Sequence, residues 1–425
     1  MSVDVSLLPK FFRLRQSFAR PQIDDVTDAT TRALNSTVDE PIEGKRVAIT
    51  AGSRGIANIA AITRACVDFL KSKGALPFIV PAMGSHGGAT AAGQQQVLSA
   101  LGVTEETMGC SIRSSMQVVE VCQAAENFPV YFDQHAFEAD HVLVVNRIKP
   151  HTRFAGDIES GLMKMMLIGL GKQRGAEVYH QVIHNYSFDQ IVRSVAKEVI
   201  AKCSILGGLA ILENAYEETA AIVGVQSRDI ESKEAELLRQ VKKWMPRLPF
   251  EKSELLMIDR IGKNISGTGM DTNVIGRKKN DHAAIEGELP DIHHIYVRGL
   301  TEETHGNASG IGLSELCHSS VIAGIDKDST RMNCITAGHI TGGMHPVDFP
   351  CDYTALKTAC QLSGYVRPHE ITAMWIQDTL HLAEIECSEA FYTQAQNADF
   401  EILTDPQSLE FDAQGDLVPR FGPAD

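Results

Sequence analysis

The stretch HVLVVNRIKPHTRFAGDIESGLMKMMLIGLGKQRGAEVYH, residues 141–180, sets the fold. Its first residues, HVLVV, read as a short buried strand. A proline-held turn, Lys149-Pro150-His151, follows, then a glycine- and methionine-rich run that carries Lys164. A helical stretch over 173–184 holds His180 and His184 four residues apart. A strand that feeds a loop and then a helix is the repeating unit of a parallel sheet. An amine among Leu162, Met163, Met165, Met166 and Leu167 loses its charge cheaply and becomes a nucleophile or a covalent anchor. Histidines on either side suit proton transfer or metal ligation near neutral pH. Two blander alternatives stay open. The lysine snorkels to solvent, or one of its rivals, Lys149 or Lys172, is the special amine.

The same rhythm extends both ways. Residues 46–50 (RVAIT) form a strand ending in AGSRG, and 56–73 are helical up to Gly74. Residues 76–81 (LPFIVP) form a strand that opens into AMGSHGG, and 91–101 are helical. Downstream come a helix over 189–203, a strand at 209–212 and a helix over 230–244 that ends in MPRLPFEK. This order predicts an α/β chain of two domains. The larger, N-terminal one (1–248) has a mostly parallel sheet flanked by helices. A smaller C-terminal α/β domain (253–399) restarts at 254–261, with further strands at 295–297 and 371–376. The tail 400–425 reads as a hairpin around Gln414-Gly415 that returns to the first domain. Ligands of such sheets sit at the carboxyl ends of the strands. That rule gathers Arg54, His86 and His151 and puts the site in the cleft between the domains.

Charge and composition exclude several classes. A net charge of −15 argues against nucleic acid and anionic membranes, though not against a small anion in a locally positive pocket. Nine scattered cysteines with no C-x-x-C pair fit a reducing compartment. The N-terminus does not read as a signal peptide, and no apolar run is long enough to span a bilayer. A cytoplasmic enzyme is the expectation; the oligomeric state stays open.

His86 lies in Gly84-Ser85-His86-Gly87-Gly88, where glycines permit close approach to a ligand and leave amides for an anion. Arg54 lies in Ala51-Gly52-Ser53-Arg54-Gly55, between a strand and a helix N-terminus, a junction suited to phosphate but equally an ordinary turn. His180 and His184, at i and i+4, fall on one helical face and form a candidate metal pair. In the second domain GTGMDTNVIGRKK holds Asp271, Asn273, Arg277, Lys278 and Lys279, either a loop for an anionic substrate or a solvated basic loop.

Together these motifs resemble the nickel-pincer-nucleotide-dependent lactate racemase family of 2-hydroxyacid racemases and epimerases. The resemblance rests on Pro150-His151, Ala155-Gly156, Lys164 and, sixteen residues on, His180. Gly84-Ser85-His86, Ala51 to Arg54, and Gly267, Asp271, Asn273 and Lys279 add to it. It implies an isomerase that inverts C2 of a 2-hydroxy acid by proton-coupled hydride transfer. Lys164 would tether the nucleotide, His180 would ligate its nickel, and Arg54, Ser53, Gly84 and Ser85 would contact it. His86 and His151 would be the paired acid/base residues, assisted by Arg54, and Lys279 (or Lys278) would bind the substrate carboxylate. The implied partners are a small 2-hydroxy acid and the proteins that build the cofactor. Three departures stand out: Ala51 replaces the family's aspartate, three extra residues separate His151 from Lys164, and Ile275-Gly276 replaces a Tyr-Gln pair. They point to a larger polar substrate than lactate, a sugar acid or dicarboxylate, with Arg153 or Arg277 as an extra contact. The alternatives are a metal-dependent lyase or hydrolase using His180 and His184, and a non-catalytic hydroxyacid- or nucleotide-binding protein.

Overall fold

The computed structural model describes residues 3–53, 55–364 and 366–422. The chain divides into two compact units, residues 19–245 and residues 1–18 with 246–425. No helix among the described residues is long and apolar enough to cross a membrane.

The 19–245 unit is built on a five-stranded sheet, in the order Leu76–Pro81, Arg46–Ala51, His141–Arg147, Ile205–Glu213, Thr219–Gln226. The first four strands are parallel and the last is antiparallel. Arg46–Ala51 and Leu76–Pro81 are buried at every residue after the first, as strands covered on both faces must be. Alternation divides their side chains. Val47 and Ile49 join Ile62, Leu70 and Leu98 on one face, while Ala48 and Val80 join Leu162, Tyr179, Val195 and Leu238 on the other. Helices Val26–Thr37 and Ile59–Ser72 thus cover one face, and Lys172–Val182, Phe188–Lys202 and Ile230–Trp244 the other. Gly208 is a seat in this packing: a Cβ there would lie 2.4 Å from Leu162, two residues before Lys164.

The other unit holds an eight-stranded mixed sheet with Lys252–Ile258 parallel to both Asp291–Val297 and Ala373–Ile376. Phe11–Arg15 is a strand of this sheet, paired antiparallel with Glu384–Ser388. Residues 1–18 therefore leave the N-terminal domain drawn from sequence as 1–248; Phe11, Phe12 and Leu14 are buried in this unit's cores. The tail also belongs here instead of on the first domain. Its hairpin forms, with Phe411 opposite Leu417. It is pinned by Leu417 N–H to Asp352 (2.8 Å), Arg298 to the Leu417 carbonyl (3.1 Å) and Tyr353 N–H to the Gly415 carbonyl (2.9 Å).

Candidate active site

In the 19–245 unit three parallel strands deliver the residues of interest at their carboxyl ends. Arg46–Ala51 leads to Ser53, Leu76–Pro81 to His86, and His141–Arg147 to His151. Arg54, expected beside Ser53, lies outside the described residues.

Ser53 Oγ and His86 Nδ1 are 2.8 Å apart. A hydroxyl both donates and accepts, so this contact accommodates either tautomer of the ring. The loop turns through Gly84, whose φ of +60° favours glycine. Gly84 N–H bonds the Gly169 carbonyl (3.3 Å) and His86 N–H bonds the Met83 carbonyl (3.1 Å). Two amides expected to face an anion are thus spent inside the fold. From below, the buried Gln94 donates Nε2 to the carbonyls of Gly84 (2.8 Å) and His86 (3.3 Å).

His151 is held differently. Its N–H bonds the buried Glu159 carboxylate at 2.9 Å. Its Nδ1 accepts the N–H groups of Arg153 (3.0 Å) and Phe154 (3.2 Å), which places the proton of the neutral ring on Nε2. The ring stacks on Phe154 at 3.9 Å with an interplanar angle of 8°. Phe154 is the residue that sequence reasoning missed. It also stacks on Phe188, meets Tyr179 edge-on, and lies 5.2 Å below the Lys164 ammonium. The aromatic inside the His151-to-Gly156 turn was the available signal.

Lys164 ends the short helix Leu162–Lys164 and enters a π-helical turn, Met165–Gly169, a distortion that concentrates at functional sites. The turn supports both neighbouring loops. A Cβ on Gly52 would meet Met165 at 3.3 Å, and one on Gly84 would meet Ile168 at 3.1 Å. At the helix start Glu234 accepts the Met163 N–H at 3.0 Å, and a Cβ on Gly161 would lie 2.5 Å from the same carboxyl group. Burial pushes the Glu234 carboxyl up to about 7, against the hydrogen bonds it accepts from Met163 and Leu162. Two turns along the same Ile230–Trp244 helix, Lys242 bonds Glu159 at 2.7 Å. A single helix therefore braces both the His151 turn and the Lys164 turn.

His180 is half-buried, and burial lowers its pKa, which keeps a ring nitrogen lone pair available to a metal. His184 does not share its helical face: the helix stops at Val182 and His184 lies exposed in the turn beyond. Among the described residues no group of three or more His, Cys, Asp or Glu is arranged to hold a metal. Lys172, the rival amine, is wholly buried against Asp133 (3.1 Å).

In the other unit Lys279 is exposed, with its N–H on Glu288 (3.0 Å). Lys278 is buried, and its Nζ lies 3.2 Å from Asn273 Oδ1. Asp271 orients Asn273 by accepting its N–H (2.9 Å) and Nδ2 (2.8 Å). Arg277 is not available to a substrate. It is fully buried and engages Glu315 and the carbonyls of Leu313 and Ile292.

Residues 26–189, which include His86, His151, Lys164 and His180, match the family described as lactate racemase N-terminal domain. Among solved structures it is similar to the lactate racemase apoprotein from Thermoanaerobacterium thermosaccharolyticum. The TM-score is 0.52 at 12% identity, over 86% of this chain and 93% of that one, a likeness of fold. A protein from Thermotoga maritima aligns with a TM-score of 0.43 at 12% identity, over 67% of this chain and 72% of that one. No curated protein matches by sequence.

Proposed function

We propose that the protein inverts C2 of a 2-hydroxy acid, with His86 and His151 as the proton-transfer pair and Lys164 as the anchor of a nickel-pincer nucleotide. The observation that carries this is the placing of Phe154, stacked on His151 at 3.9 Å and 5.2 Å from the Lys164 Nζ. The residues fit the group that the family implies. Lys164 is half-buried in the Leu162–Leu167 run, with its Nζ 5.2 Å from the Phe154 ring. His180 offers one neutral nitrogen, which suffices when the nucleotide brings the metal's other ligands. When bound, the group supplies the hydride acceptor that a histidine pair lacks.

The chain's own residues then do the rest. The C2 hydrogen beside a carboxylate is too weakly acidic for an imidazole to remove as a proton. It leaves as hydride once the hydroxyl is deprotonated, and the planar 2-oxo acid can be re-reduced on its other face. His86, whose Nδ1 contact tolerates either tautomer, takes the hydroxyl proton at Nε2, a role worth roughly 10²–10⁴-fold. His151 presents Nε2–H to the substrate oxygen. For the opposite enantiomer it must accept a proton at Nε2, which requires the neutral ring to carry its proton on Nδ1 and so displaces the Arg153 and Phe154 N–H groups. Lys279 or Lys278 would bind the carboxylate; Lys278 Nζ donates to Asn273 Oδ1 at 3.2 Å. With Arg277 committed to the core, Arg153 is the remaining extra contact for a larger polar acid.

The test uses enzyme co-expressed with cofactor-building proteins and hydroxy acids deuterated at C2. Inversion with the label kept at C2 is expected. Exchange of the label with water contradicts the hydride route, and lactate turning over faster than every aldonate and malate contradicts the larger substrate.

A further inference from the structure

Lys172, Asp133 and Gln94 are all wholly buried, and none of them reaches the site surface. Lys172 Nζ donates to the Pro81 carbonyl, lies 3.3 Å from Gln94 Oε1 and pairs with Asp133 Oδ2 at 3.1 Å. Pro81 is the last residue of the strand that leads into the His86 loop. Gln94 turns its amide nitrogen to the carbonyls of Gly84 and His86. Three carbonyls along residues 81–86 are thus held by one buried charge and one amide.

Stability alone accounts poorly for this arrangement. A buried ion pair contributes little beyond what packed apolar residues would, and desolvation lowers the Lys172 pKa despite its partner. The backbone of Lys172 is left-handed as well, with φ +54°, a conformation that side-chain-bearing residues disfavour and that persists where surroundings enforce it. What the ammonium offers in return is several N–H donors in fixed directions beneath one loop.

We propose that Lys172 is a positioning residue for His86, acting through Gln94 to hold the Gly84–Gly88 loop where the Ser53–His86 hydrogen bond forms. This rests on the acid/base role given to His86, but its test needs no turnover. The apo-protein is labelled with ¹⁵N-histidine, and ring-nitrogen resonances are recorded for the wild type, Lys172→Met, Gln94→Glu, Gln94→Leu and Ser53→Ala. Gln94→Glu keeps an acceptor for Lys172 but loses the donor to the loop, so it stays informative if Lys172→Met does not fold. In both Gln94 variants the His86 resonances are expected to move toward those of an exposed, freely exchanging imidazole. Ser53→Ala should move them the same way, while His180 and His184 stay in place. Unmoved His86 resonances in the Gln94 variants overturn the proposal, as does a general shift of all the histidines or a silent Ser53→Ala. If the His86 shift is found but His86→Ala still inverts hydroxy acids in the loaded enzyme, the positioning stands and the acid/base role falls.

Discussion

The loops that carry His86 and His151 leave strands on either side of Arg46–Ala51, yet they are secured in opposite ways. Under the His86 loop lie fully buried groups, Gln94, Lys172 and Asp133, while the ring is exposed and touches an adjustable hydroxyl. At His151 the ring itself is fixed, by its own backbone on Nδ1 and by Phe154 on its face. The brace behind it, Glu159 to Lys242, is partly solvated, with 42% of the Lys242 side chain exposed. One loop combines a rigid floor with an adaptable ring, and the other a rigid ring with a softer support. The two rings are therefore not interchangeable.

This contrast orders the expected losses. Lys172→Met strands Asp133 in the core and should lower unfolding free energy in urea titrations by about 3–5 kcal/mol. A loss below about 1 kcal/mol would break the claim of a rigid floor.

Glu234, on the bracing helix, should show itself through pH. Its carboxyl titrates near 4.5 when unfolded and at about 7 when folded, so between those values the folded state binds more protons. Its contribution to stability therefore falls as pH rises from about 4.5 through 7. The gap amounts to about 3 kcal/mol above pH 7. Glu234→Gln should flatten that decline and be no less stable than wild type at pH 8, as read from denaturation at several pH values. Gly161→Ala drives a methyl into the same carboxyl group and should destabilise by about 1–3 kcal/mol. The smallest effect is expected for Lys242→Met, about 1 kcal/mol and salt-dependent, because half of that pair is in water. A loss as large as that of Lys172→Met would erase the distinction between the loops.

Much of the 19–245 unit was legible from local pattern. LPFIVP at 76–81 and the amphipathic 230–244 run announce a strand and a helix by periodicity alone. Phe11–Arg15 was not, because FFRLR becomes a strand only by pairing with residues more than 360 positions away. The site shows the same division. His86 and His151 follow from turns at strand ends, and Lys164 from its apolar run. Glu234 meets Met163 across 71 residues, and Lys172 meets Pro81 across 91. Composition does not say which of several lysines the fold will bury, nor which carboxylate will cap the turn of another.

The most direct measurement is the mass of the peptide containing Lys164 after co-expression with cofactor-building proteins. A nickel–nucleotide adduct confined to that peptide, and absent from Lys164→Ala, is the expected result. An unmodified Lys164 in protein that still inverts a hydroxy acid, or an adduct on another lysine, would contradict the account.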